Sequence, residues 1–141
     1  AHETILHRNG LVSEGTHTNV FAVVGGVVVT PPLDIDPPIL HGVTRTMVLD
    51  EARRLGLPAE ERPLHVSELT GAEEIFLTST RRIIASIVAL DDRPVSDGQT
   101  GPTTTALFDA CRNAVARRCG LPAPARPFDS APSAAAMESR T

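Results

Sequence analysis

Ser13-Glu14-Gly15-Thr16-His17-Thr18-Asn19-Val20-Phe21 and, further along, Ile39-Leu40-His41-Gly42-Val43-Thr44-Arg45 are the two stretches whose order decides the fold. The first puts a carboxylate at a strand end, then a glycine-led turn, then the start of the apolar, β-branched run Asn19 to Val24. The second sets a glycine ahead of a helical pattern, where the leading backbone N–H groups have no partner inside the helix. Between them, Val27 to Thr30 reads as the return strand of a hairpin turned at Gly25-Gly26. Both strands are near-continuously apolar, which implies a sheet covered on both faces. Residues 31–38 carry prolines at both ends, which excludes a helix or a central strand and predicts a stiff loop.

Outward from this centre, Glu3 to Arg8 and Leu11 to Ser13 read as strands joined by an Asn9-Gly10 turn. A strand so near the first residue predicts an open sheet edge and a tendency to associate. The spacing predicts a helix over 44–55, capped by Thr44, stopped by Gly56 and Pro58, with Met47, Val48, Ala52 and Leu55 inward. A short strand is expected at Arg62 to Val66, then one helical turn capped by Ser67. Glu74 to Thr80 reads as an inner strand ending in the hydroxyls of Thr78, Ser79 and Thr80, and Ala85 to Leu90 as another, turned at Asp91-Asp92. A helix over 102–118 starts at a proline and stops at Gly120, with a stripe of Ala106, Leu107, Ala110, Cys111, Ala114 and Val115. Leu121 to Thr141 is rich in Pro, Ala and Ser without a period and predicts a disordered tail after a domain of residues 1–120. Strands alternating with two real helices indicate an α+β, or mixed α/β, domain.

Composition narrows the function. The 141 residues, 41% hydrophobic, are enough for one core, and the net charge of −4 without a basic cluster argues against nucleic acid. Aromatics make up 3%, with no Trp or Tyr, so stacking platforms for bases are lacking. Cys111 and Cys119 lie on one expected helix about 12 Å apart, too far for a disulfide. Free thiols and the absence of a membrane-length apolar run suggest a cytoplasmic protein with no membrane partner. His2, His7, His17, His41 and His65 are too dispersed for a metal site.

In this order, with Val28-Val29-Thr30 between them, the two stretches resemble the glutamate motif and the phosphate-binding helix start of the class IV (fold type IV) pyridoxal-phosphate aminotransferases. Thr4-Ile5-Leu6-His7-Arg8-Asn9-Gly10 is most similar to the D-amino-acid aminotransferases among them. The resemblance covers about residues 3–118. It implies a pseudo-barrel large domain, pyridoxal 5′-phosphate as cofactor, amino-group transfer between an amino acid and a 2-oxo acid, and a homodimer in the complete enzyme. It also implies that Glu14 bonds the pyridine nitrogen, that Val43 and Thr44 contact the phosphate, that Ser79 and Thr80 serve phosphate and substrate, and that Asn19 holds the turn. Taken singly, a turn glutamate, a capping threonine or a Thr-Ser-Thr strand end is usually structural. Their order gives them weight.

The family holds its cofactor on a Schiff-base lysine upstream of the glutamate motif. This sequence contains no lysine, and arginine cannot take that role, so no catalytic residue is assigned. The resemblance therefore implies the C-terminal part of such an enzyme, truncated on its N-terminal side and inactive alone. The alternatives are a non-catalytic module that keeps the fold and, within the enzyme class, a branched-chain aminotransferase or an aminodeoxychorismate lyase. Two departures from the family pattern stand out: Pro37-Pro38 resembles an insertion, and Arg81-Arg82-Ile83 replaces small or acidic residues where substrate would approach.

Overall fold

The computed structural model describes residues 2–122 and 133–139. Its strands are β1 (His2–Arg8), β2 (Leu11–Gly15), β3 (Asn19–Val24), β4 (Val27–Thr30), β5 (Ala59–Glu61), β6 (Glu74–Ser79), β7 (Ile83–Leu90), β8 (Arg93–Pro94) and β9 (Ser133–Ser139). Its helices are α1 (Val43–Arg54), α2 (Val66–Thr70) and α3 (Pro102–Arg118). The strands form one mixed sheet in the order β2-β1-β9-β7-β6-β3-β4-β5, with β8 on β7.

Alternation along β3 shows why the sheet is apolar on both faces. Val20 and Ala22 join Ile75, Leu77 and Ile87 on a face that also holds Ile5, Val12, Leu64 and Ala135, so the sheet curls back on itself as a half-barrel. Phe21 and Val23 point the other way, into a layer with Met47, Val48 and Ala52 of α1 and Leu107, Cys111 and Ala114 of α3. Across the β3–β6 pair, Phe21 and Phe76 stack with centroids 5.0 Å apart and planes 6° apart.

Three turns sit where their glycines and polar residues place them. Asn9-Gly10, Gly25-Gly26 and Asp91-Asp92 all hold positive φ at both positions, the geometry that matches strand twist. Helix α1 ends as expected: Gly56 takes φ +74°, and the N–H groups of Gly56 and Leu57 return to Arg53 and Ala52.

Several expectations are corrected. Helix α1 begins one residue early, with Gly42 rather than Thr44 at its N-cap and no side-chain cap, because the Thr44 hydroxyl bonds elsewhere. Leu55 follows α1 as its C-cap and is 45% exposed, whereas Leu49 is buried. The short strand lies at Ala59–Glu61, not 62–66: there it runs parallel to β4, and beyond it Pro63 has no N–H to donate. Helix α2 is capped by His65 with Glu68, not by Ser67. The Arg62 and His65 hydrogen bonds hold the Glu68 carboxyl below the usual carboxylate range. On α3, Ala106 faces solvent while Thr104 and Phe108 are buried.

The largest correction concerns the expected tail at 121–141. Ser133–Ser139 is not disordered but forms β9, parallel to both β1 and β7. Small residues without period carry no strand signal; backbone pairing to two neighbours decides the matter. As a result β1 is flanked by β2 and β9 and is no open edge. Residues 123–132, 140 and 141 of the expected tail lie outside the described residues.

Helix α3 depends on a carboxylate from the sheet. Glu74, 7% exposed at the start of β6, accepts the N–H groups of Thr103 (3.2 Å) and Thr104 (2.8 Å) in the helix's first turn. A Cβ at Gly101 would collide with that carboxylate, which accounts for the glycine. Glu74→Ala is expected to lower unfolding free energy by about 1.5–3 kcal/mol, measured by denaturant titration, because charge-assisted bonds to buried donors are lost. A second expectation concerns the thiols. Burial, with the nearby Glu51 carboxylate, pushes the Cys111 thiol up to about 12 from 9.0, whereas Cys119 is exposed. One thiol per chain should therefore react with a thiol reagent near pH 8 and the second only on unfolding. Because the unfolded thiol ionises first, Cys111 should also withdraw stability progressively as pH rises from about 9 towards 12.

Candidate functional site

At the C-terminal end of β6 and the start of α1 lies a cavity of about 220 Å³. One wall is the strand end Thr78, Ser79 and Thr80, and another is Leu40 to Thr44 entering the helix. His17, Thr18 and Asn19, from the turn between β2 and β3, complete the lining. Of the residues singled out in the sequence, Val43, Thr44, Ser79 and Thr80 line this cavity together. Glu14 does not line it, but its Oε2 accepts the N–H of Leu40, which does, at 3.1 Å.

The walls are joined by hydrogen bonds. Thr44 Oγ1 donates to the Ser79 carbonyl at 3.2 Å, tying the first turn of α1 to the end of β6. Asn19, 3% exposed, donates from Nδ2 to the Leu40 carbonyl at 2.9 Å. Leu40 is thus held at its N–H by β2 and at its carbonyl by β3. Gly42 has no room for a side chain, since a Cβ there would strike Asn19 Oδ1. The loop can approach β3 this closely only as glycine.

The site's chemistry is that of an oxygen acceptor's host. Helix α1 has no side-chain cap and no acid in its first turn to offset its positive dipole end, and Val43 and Thr44 of that turn line the cavity. Thr78 and Thr18 are among the lining residues, and their hydroxyls are buried with no protein partner, that of Thr18 packed against Gly15. Sequence reasoning does not separate Thr78 from the other strand-end hydroxyls, and it misses Thr18, His17 and His41 as lining residues. Alternation along β6 could have placed Thr78 inward, but a turn such as Thr16 to Thr18 carries no period. Arg81 and Arg82 are not in the cavity wall. They occupy the turn after Thr80, where the Arg82 N–H donates to Ser79 Oγ at 3.2 Å and Ile83 is held at φ +60°. Among the described residues no group of His, Cys, Asp or Glu could hold a metal, and no helix is long and apolar enough to cross a membrane.

The chain is similar to known proteins over most of its length. The D-alanine aminotransferase of Bacillus licheniformis is 36% identical over 115 residues, 82% of this chain but 40% of that protein. The branched-chain aminotransferase of the thermophilic archaeon Thermoproteus uzoniensis, solved with norvaline, superposes with a TM-score of 0.73 at 38% identity, covering 80% of this chain and 37% of that one. The branched-chain amino acid aminotransferase of T.th., solved with pyridoxamine 5′-phosphate, gives a TM-score of 0.76 at 30% identity over 82% of this chain and 38% of that one. The chain thus spans about 40% of the length of the curated relatives it matches. Residues 1–90 match the family described as amino-transferase class IV, and with a mixed α/β half-barrel shared with solved members, this chain belongs to that family.

Proposed function

We propose that the chain forms the phosphate-binding part of a class IV aminotransferase that exchanges an amino group between a D-amino acid and a 2-oxo acid, as a homodimer in the cytoplasm. The observation that carries this reading is the convergence of the uncapped α1 N-terminus and the hydroxyl-bearing end of β6 on one cavity, tied by the Thr44–Ser79 bond. An unpaired buried hydroxyl costs about 1–3 kcal/mol. The unpartnered Thr78 and Thr18 hydroxyls are therefore a cost already carried by the cavity wall.

Pyridoxal 5′-phosphate suits this donor set. At about 220 Å³ the cavity is smaller than the roughly 300–1,000 Å³ of pockets that enclose a whole ligand, so it fits the phosphate end. In this reading the amides of Val43 and Thr44 and the hydroxyls of Ser79 and Thr80 hold the phosphate. Glu14, on the far side of Leu40, is assigned the pyridine nitrogen, where a carboxylate keeps a proton in place. When bound, the cofactor supplies the electron sink that makes the bonds at an amino acid's α-carbon breakable. The chain's own residues bind and orient. With no lysine among the 141 residues, none is assigned the covalent step. The D-alanine aminotransferase relatives favour a D-amino acid substrate. A branched-chain substrate is the second reading, favoured by the solved structures.

Titration of the chain with pyridoxal 5′-phosphate, followed by amide chemical shifts, tests the reading. Shifts should cluster at residues 42–45 and 78–80 with an affinity of about millimolar, or roughly 4 kcal/mol. Thr44→Val should weaken them by removing the tie to Ser79. Shifts spread instead over Arg53, Arg54, Arg117 and Arg118 would mean nonspecific charge attraction and overturn the assignment.

A further inference from the structure

Arg45, directly after Thr44, is among the largest fully buried side chains of the chain, at 2% exposure. Its Nη2 donates to the Pro31 carbonyl at 3.0 Å and to Glu61 Oε1 at 2.7 Å, while its Nε is buried without a partner. Pro31 follows β4 and Glu61 ends β5, and the two strands pair in register at Thr30 and Glu61. One guanidinium therefore ties the first turn of α1 to the ends of two adjacent strands. Thr44, in the same turn, is tied on its other side to Ser79 at the end of β6. The turn is held from both flanks, and Arg45 itself does not line the cavity.

A buried guanidinium is a poor way to gain stability, because its desolvation consumes much of the attraction to its partner and an apolar side chain of similar volume often serves as well. Here the guanidinium is also left with an unsatisfied Nε. What an apolar side chain cannot do is fix direction. The planar guanidinium sends both N–H bonds of Nη2 to two acceptors at once in a set geometry.

We propose that Arg45 is a positioning residue for the anion site: by clamping the first turn of α1 to Pro31 and Glu61, it aims the Val43 and Thr44 N–H groups into the cavity without touching the anion. This rests on the reading of the cavity as an anion site. It differs from a field effect, in which the charge of Arg45 alone attracts the anion. Lysine would preserve that charge, but its ammonium ends one bond short of the Nη2 position and does not reach both acceptors.

Inorganic phosphate is the probe, titrated into the chain and into Arg45→Met and Arg45→Lys, with amide shifts at residues 43, 44 and 79 giving affinity and thermal unfolding giving stability. Arg45→Met should stay folded, since Glu61, with its side chain 39% exposed, can turn to water once unpaired. Both variants should bind phosphate about tenfold more weakly, a loss in keeping with misdirected helix-terminal donors. Full affinity in Arg45→Met would overturn the proposal. Full affinity in Arg45→Lys alone would reassign the residue to a field effect, and failure of Arg45→Met to fold would make it a structural support. If the unsubstituted chain shows no phosphate-dependent shifts, the anion-site reading itself falls, a different result from unsubstituted binding that survives Arg45→Met.

Discussion

Leu40 is held at both of its backbone polar groups, its N–H by Glu14 at 3.1 Å and its carbonyl by Asn19 at 2.9 Å. Everything at the cavity depends on this double hold. The segment from Pro31 to His41 has no helix or strand of its own, so nothing local sets where α1 begins. Glu14 and Asn19 set it from the sheet, one at the end of β2 and the other at the start of β3. Gly42 then passes so close to Asn19 that only hydrogen fits, and the helix starts without a side-chain cap. Glu14 sits within this clamp rather than in a solvated turn, so the carboxylate assigned to the pyridine nitrogen also braces the loop at the phosphate end.

A sheet buried on both faces makes such precision possible. Phe21 and Phe76 anchor the helical layer, and Val20, Leu77 and Ile5 fill the inside of the curl, so β3 and β6 are packed from two sides. Packed interiors transmit displacement instead of absorbing it. The ends of these strands, where Asn19 and Ser79 stand, are carried by that packed sheet. Glu74 plays a similar part at the other end of β6, where its carboxylate fixes the start of α3 as Asn19 helps to fix the start of α1. Both helices begin on partners supplied by the sheet, and neither has a side-chain cap at its own N-cap residue.

What the sequence determined by itself were the features whose causes are local. The turns at Asn9-Gly10 and Gly25-Gly26, the proline-bound loop, the glycine stop of α1 and the proline start of α3 each follow from the backbone freedom of one or two residues. The paired motifs around Glu14 and Val43 carried the family, and with it the α+β half-barrel. Only the tertiary structure decided the rest, because the deciding partner lies far along the chain. Ser133–Ser139 is a strand because β1 and β7 flank it, Thr44 is no cap because Ser79 takes its hydroxyl, and β5 lies where β4 can pair with it. In the sequence Arg45 only closes the second motif. Only the fold brings Pro31 and Glu61 to it and buries it, because a hydrogen bond between residues distant in sequence leaves no periodic trace in either of them.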